Sequence, residues 1–324
     1  MKKYNVIHKA SGRRFLLRVE TSVDHRDYRK YEKLRNEIWD EPRDHLSGTR
    51  NMFCENYFNL GSSLYIGCFV EEPGLEFPQD DGHLVGFAFG FVGVKDKTIG
   101  YRATDNFFFY AQFTGVREPF QAYGLGVALK DFQRKILQEV FGIKTVTCTY
   151  DPLTGVNAYR NIHHYGMDVL EYHEAYYGDF GGRLNRNDVP CDRFYVVWDL
   201  EKKIQRPERN LSRLLDAGHL VVGSEPIRIP TKTGSLTVPV AKTLRSDLNA
   251  EVLLVEIPYD FYSLLKATDV QDPEIRKIPI DWRNRTRTAL RTLLVRGFRV
   301  EDFRSMRDGT RMRDFYIFTG RGSE

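Results

Sequence analysis

The chain has 324 residues and only four cysteines, Cys54, Cys68, Cys148 and Cys191, widely spaced and without a CxxC pair. That excludes a disulfide scaffold and a cysteine-built zinc site, and leaves packing in strands as their expected role. Metal-binding spacing is missing too. His163-His164 has no companion at ligand distance, and His173-Glu174 lies outside an HExxH pattern, so no metal is expected. No Gly-x-Ser-x-Gly elbow of a hydrolase occurs. Long apolar runs are absent: the best, near Leu84–Val94 and Phe58–Val70, are too short to span a bilayer. Met1-Lys2-Lys3-Tyr4 is followed by no continuous apolar region, so the expectation is a soluble cytoplasmic protein without a secretory signal. Glycine (26) and proline (13) are too scarce for a collagen-like or disordered chain, and no repeat or low-complexity tract appears.

Charge of one sign is also lacking overall, with 48 Lys+Arg against 44 Asp+Glu. Its distribution is uneven. Residues 201–324 carry 6 Lys and 17 Arg against 9 Asp and 8 Glu, a net +6, which leaves −2 on the first 200. This modest asymmetry does not mark a nucleic-acid binder, but it predicts a basic surface in the last third.

What is present is a folded composition, 41% hydrophobic and 13% aromatic, long enough for two domains. Strands are predicted at Phe15–Val19, Ser63–Val70, His83–Val94, Phe107–Val116, Lys144–Tyr150 and Asp192–Leu200. Helices are predicted over Asp24–Trp39, Gly124–Phe141 and Val156–Tyr165, from apolar residues recurring every three or four positions. Glu201–Asn210, charged and proline-bearing, reads as a linker. Beyond it come strands at His219–Val222 and Glu251–Ile257, a helix over Asp281–Arg296, and strands at Phe298–Phe303 and Asp314–Thr319.

The most informative stretch runs from Phe113 to Gly126. A strand ends at Val116, and five residues later Gln121-Ala122-Tyr123-Gly124-Leu125-Gly126 opens a helix. The first N–H groups of a helix have no intrahelical partner, and the macrodipole adds positive potential, so this is an anion cradle. Glycines at 124 and 126 let a phosphate approach the backbone. A Walker A loop is excluded, because Gly126 is followed by Val127-Ala128 rather than Lys-Ser/Thr. A Rossmann loop is weakened by Leu129 at the third glycine site, although Asp151 sits where a ribose-binding acid belongs.

The third device is a coenzyme A loop. Val116 followed by Gln121-x-x-Gly124-x-Gly126 resembles the [Q/R]-x-x-G-x-[G/A] motif of the GNAT N-acetyltransferases, and the helix opening at Asn157-Ala158 and ending at Tyr165-Gly166-Met167 is similar to that family's second motif. The resemblance covers roughly residues 13–200. Val255-Glu256-Ile257-Pro258, Trp282-Arg283-x-x-Thr286-Arg287 and Arg296-Gly297-Phe298 resemble the extra C-terminal region of one group within it.

The resemblance implies an α/β (α+β) GNAT-like three-layer fold, whose central mixed, mostly antiparallel sheet is splayed at the cofactor site. Residues 1–200 form the acyl-CoA-binding domain, and 201–324 a smaller basic α+β domain, readable as a degenerate GNAT-like half without a cofactor loop. It further implies direct transfer of an acetyl group from acetyl-CoA, as cosubstrate, to the amine of a small-molecule or amino-acid-like acceptor. Gln121, Ala122, Tyr123, Gly124, Leu125 and Gly126 would hold the pyrophosphate. Thr114, Gly115 and Val116 would hold the pantetheine, and Asn157 would face the cofactor. Where many members carry a proton-donating tyrosine this chain has Ile162, so His164 or Tyr165 is the candidate acid. Asn157, Asn161 and His164 are expected on one polar helical stripe.

Two alternatives stand beside the enzyme: a non-catalytic CoA-binding or regulatory module, favoured by Ile162, and an aminoacyl transferase using charged tRNA. The second rests on the Arg-rich C-terminal region, where Arg283, Arg287 and Arg291 recur every four residues and present either an anion-docking stripe or a face paired with acids. Nucleic acid and membrane are not expected partners; a homodimer is compatible with the sequence.

Overall fold

The computed structural model describes residues 4–39, 49–72, 74, 77–178, 182, 184–231, 234–245 and 247–320. The chain divides into two compact units, one of Met1–Cys148 with Asp199–Glu201, the other of Thr149–Trp198 with Lys202–Glu324. The linker reading of Glu201–Asn210 and the resemblance place the division at residue 200.

In the first unit β1 (Asn5–Ala10) and β2 (Arg13–Val19) form a hairpin. Its two-residue turn, Ser11-Gly12, has φ of 48° and 77°, which matches the twist of the flanking strands. Strands β3 (Ser63–Val70), β4 (Leu84–Val94) and β5 (Phe107–Val116) continue the sheet antiparallel, and β6 (Thr145–Tyr150) joins β5 in parallel. The order β1-β2-β3-β4-β5-β6 gives the mixed, mostly antiparallel sheet that the resemblance implies.

Helix α1 (Arg29–Trp39) follows a 3-10 turn at His25–Tyr28, whose first turn is capped by Asp24 accepting the Arg26 N–H at 2.9 Å. Tyr28, Tyr31 and Leu34 project into a core with Tyr65, Phe69 and Phe87. A short helix α2 (Thr49–Glu55) has no counterpart among the predicted elements. Helix α3 (Leu125–Ile136) buries Leu125, Leu129, Phe132 and Ile136, the predicted face, and passes through a π turn at Leu137–Phe141 to Gly142 at φ 67°.

The second unit opens with α4 (Gly155–Ala158), prolonged by a π-helical turn at Tyr159–His164, then β7 (Asp168–His173) and β8 (Arg193–Asp199), paired antiparallel. Residues 202–210 carry no helix or strand. Then come α5 (Leu211–Asp216), β9 (Leu220–Thr231), β10 (Gly234–Leu244), β11 (Val252–Ile257), α6 (Phe261–Ala267), α7 (Pro273–Arg276), α8 (Ile278–Val295), β12 (Arg299–Asp308) and β13 (Arg311–Thr319). The sheet order is β10-β9-β11-β13-β12.

Sequence pattern predicts only His219–Val222 of the β9–β10 hairpin. Pro226, Pro230 and Pro239 and many polar residues conceal the rest. Prolines, which lack an N–H, are tolerated here because β10 is an outer strand of the sheet and β9 pairs with β11 only through Leu220 and Val222, so that Pro226 and Pro230 lie beyond that ladder. Of the cysteines, Cys68 and Cys148 are buried in strands as expected; Cys191 is buried outside one and Cys54 is exposed in α2.

Candidate cofactor-binding site

Two strand ladders define the end of β5. On one side it pairs with β4 through Val116, which lies opposite Gly86, and the Arg117 N–H continues the ladder to the Val85 carbonyl at 2.8 Å. On the other side the ladder with β6 holds only Phe109 with Val146 and Tyr110 with Thr147. The two strands therefore separate beyond Tyr110, as the resemblance implies. A register shift between Phe89 and Gly90 leaves Gln112 as an extra residue on β5 just where the separation begins.

Backbone groups on an antiparallel strand alternate between its two sides. Since Arg117 bonds toward β4, Val116 and Thr114 direct their N–H and C=O groups to the side that β6 has left. Gly115 directs its own groups toward β4. Its missing side chain serves packing instead, for a Cβ there would lie 2.8 Å from Ile38 and Trp39 of α1. Thus Thr114 and Val116 form an open strand edge, and Gly115 lets α1 close on the strand.

A 3-10 turn, Glu118–Tyr123, carries the chain to α3. Gln121 Nε2 donates to the Val116 carbonyl at 3.1 Å, drawing the loop back on the strand end. Gly124 takes φ 69° and ψ 13°, a left-handed conformation, with nothing within 4 Å of where a Cβ would stand. Its carbonyl accepts the first bonds of the helix, from the Val127 and Ala128 N–H groups, both at 3.1 Å. The N–H groups of Leu125 and Gly126 precede those bonds and belong to the unsatisfied helix start. Gln121, Ala122 and Gly124 are exposed, Tyr123 and Gly126 half-buried, and Leu125 is anchored in the core. An open glycine, outward N–H groups and a free strand edge fit an anionic, amide-bearing cofactor such as coenzyme A.

The loop has supports that no local motif announced. His8 Nε2 lies 2.9 Å from the Tyr123 carbonyl. Phe15 packs against Phe120 and Tyr123, and the Arg13 guanidinium lies over both rings at 5.7 and 5.4 Å. Arg117 pairs with Glu37 at 2.8 Å. These partners sit far from the loop in sequence, so spacing held no signal for them.

Asn157, His164 and Tyr165 belong to the second unit. Asn157 is half-buried, and its amide is engaged within its own helix, donating to Thr154 Oγ1 at 3.0 Å and accepting from Arg160 Nη2 at 2.5 Å. His164 is exposed, while Tyr165 is buried with its ring centroid 4.4 Å from that of Trp198. The expected polar stripe of Asn157, Asn161 and His164 does not form: Asn161 is buried. The π turn at Tyr159–His164 widens the helix and breaks the 3.6-residue spacing on which that stripe depends. Ile162 is buried and apolar. His163 bonds Asp302 through Nδ1 at 2.8 Å.

The arginine stripe is matched by carboxylates. Arg283 is fully buried on Asp151, Arg287 bonds Asp192 at 2.8 and 2.7 Å, and Arg291 reaches Glu174. The anion-docking reading of this stripe is corrected accordingly, and these three arginines no longer support a charged-tRNA substrate. Asp151, engaged by Arg283, is likewise not free to act as a ribose-binding acid. Among the described residues there is no cluster of three or more metal-ligating side chains, and no helix long and apolar enough to cross a membrane.

No protein-family model matches the chain, and no curated protein does. Solved structures do. Arabidopsis thaliana NAA60 in complex with acetyl-CoA aligns at 14% identity over 58% of this chain and 99% of its own, with a TM-score of 0.41. Ard1 of Thermoplasma volcanium aligns at 14% identity over 57% and 99%, with a TM-score of 0.37. An aminoglycoside acetyltransferase from an uncultured soil metagenomic sample, in complex with sisomicin, aligns at 13% over 43% and 78%, with a TM-score of 0.34. The chain is similar in structure to acetyltransferases of the GNAT family over rather more than half its length.

Proposed function

We propose that the protein is an acetyl-CoA-dependent N-acetyltransferase acting on the amine of a small-molecule or amino-acid-like acceptor by direct transfer. The observation that carries this reading is the strand edge at Thr114 and Val116, freed by the departure of β6, running into a loop with an open left-handed glycine at 124. A dinucleotide site would not need that free edge, whereas a chain of amides extending from a pyrophosphate does.

In this reading the Thr114 and Val116 backbone groups hold the pantetheine amides, and the N–H groups from Gly124 to Gly126 face the pyrophosphate. The bound thioester supplies an activated acetyl group. A backbone N–H near Val116 on this edge is assigned to polarise the acyl oxygen. Ile162 cannot protonate a leaving thiolate. The resemblance leaves that role to His164 or Tyr165, of which His164 is the exposed one.

Calorimetric titration with acetyl-CoA and CoA, with NADH as control, tests the reading. Saturable binding of the first two, followed by thiol release with an amine acceptor, is the expected result. Binding without thiol release across a broad amine panel would favour the non-catalytic module, for which the buried Ile162 speaks. Absence of CoA binding by the folded protein would overturn both.

A further inference from the structure

The peptide that leads into Gly124 is clamped from the opposite edge of the sheet. We infer that His8 is a positioning residue for the cofactor loop, which it holds through the Tyr123 carbonyl; this rests on the acetyl-CoA reading of that loop. His8 and Tyr123 are 115 positions apart, and their hydrogen bond is 2.9 Å. A carbonyl oxygen carries no proton, so Nε2 is the donor. The Tyr123–Gly124 peptide is trans, and in a planar trans peptide the C=O and N–H point in opposite directions. Fixing the Tyr123 carbonyl on His8 therefore fixes the Gly124 N–H away from β1.

His8 adds an outside hold to the one that the 3-10 turn Glu118–Tyr123 itself supplies. Gly124 has no side chain and open space around it, so sterics alone do not choose between this peptide plane and its reverse. The reverse would turn a carbonyl oxygen outward at the helix start, where it would repel an anion. His8 is well placed to prevent this. It lies directly opposite Phe15 in the β1–β2 register, with the two rings 6.3 Å apart, and Phe15 is the buried ring on which Phe120 and Tyr123 rest. The 3-10 turn is thus seated on β2 by packing, while His8 on β1 sets the direction of its last peptide.

The test compares the full chain with H8F, which keeps a ring but no donor, and H8Q, which restores one. One net hydrogen bond corresponds to roughly a tenfold change, so H8F is expected to weaken acetyl-CoA binding by about that factor, and H8Q to recover most of it. KM for acetyl-CoA should rise in H8F with kcat unchanged. Affinity in H8F equal to wild type, or H8Q no better than H8F, would overturn the inference. A readout without ligand keeps it separate from the proposed function: the Gly124 amide, followed by NMR, should shift and exchange faster in H8F than in wild type or H8Q. If the wild type binds no acetyl-CoA, the functional reading falls; an unmoved Gly124 amide in H8F overturns the role of His8 on its own.

Discussion

Arg283 and Asp151, 132 positions apart, form a bidentate ion pair with nitrogen–oxygen distances of 2.8 and 2.5 Å. The guanidinium is fully buried, and it also lies over the Phe261 ring at 5.4 Å. Burial works against its charge, but the Asp151 carboxylate outweighs that and holds the Arg283 pKa above its ordinary value. The pair joins α8 to the start of the segment after β6, two stretches that lie on opposite sides of the predicted linker.

Removing one member strands the other as a buried charge. Asp151→Leu or Arg283→Met alone should cost about 3–5 kcal/mol, whereas the double substitution should cost much less, because apolar replacement of a whole buried pair is often neutral. Urea denaturation of the three variants checks this. Additive losses in the double variant would show that packing around the site, not the ion pair, sets the cost.

Asp192 extends the same network. It is buried, accepts from Tyr172 and Arg287, and holds the Ala175 N–H at 3.0 Å. Ala175 has φ 43°, a strained value for a residue with a Cβ, so Asp192 keeps the turn at 174–178 in place. Burial raises its pKa, yet the bond from Arg287 and the charge of Arg283 outweigh burial and leave it below the ordinary value. A carboxyl with a depressed folded pKa stabilises the fold above its unfolded pKa, and that stability is lost as pH falls through the folded one. Arg287→Glu should therefore destabilise the chain by roughly 2 kcal/mol or more near neutral pH, measured by thermal and urea unfolding. It should leave RNA retention at low salt unchanged, since Arg287 is already paired.

Asp314 behaves in the opposite sense. It is buried beside Ser305, one carboxylate oxygen has no hydrogen-bond partner, and burial, with the charge of Glu256, pushes its pKa up to about 6. Between the ordinary aspartate value and about 6, the folded chain holds a proton that the unfolded chain has released. Stability then falls as pH rises through that window and levels above it. The whole loss across the window is up to about 3 kcal/mol. Asp314→Asn should remove this slope, so that wild type and variant differ most in pH dependence between about pH 4 and 6. Denaturant titrations across that range check it, and parallel curves would place the titration elsewhere.

Local pattern made the central strands legible. Ser63–Val70 and Phe107–Val116 have the predicted ends, because each is a run of apolar and aromatic residues closed by polar or glycine-bearing turns. The loop from Val116 to Gly126 was legible for a similar reason: its glycines and its place between strand and helix are local facts. What escaped was non-local. The π turns at Leu137–Phe141 and Tyr159–His164 follow patterns that read as ordinary helix. The edge strands β1 and β10 are too polar or proline-bearing to resemble strands, and pairing on one side alone sustains them. The arginines of α8 announced a stripe, but their carboxylates lie more than 90 positions away, and only the fold shows that the stripe is paired.

The direct test of the cradle is Gly124→Glu. A Cβ at the position meets nothing within 4 Å, and the fold should survive with a penalty of about 1–2 kcal/mol for a left-handed non-glycine residue. Gly124→Ala suffers the same backbone strain without the charge and serves as its control. Strain alone would weaken acetyl-CoA binding equally in both. A carboxylate placed where the pyrophosphate should lie would abolish binding in Gly124→Glu and leave Gly124→Ala measurably competent. Calorimetric titration of both, with circular dichroism to confirm folding, separates the two effects. Equal affinity in folded Gly124→Glu and wild type would mean that the cofactor does not bind at this helix start. The free edge at Thr114 and Val116 would then need another ligand.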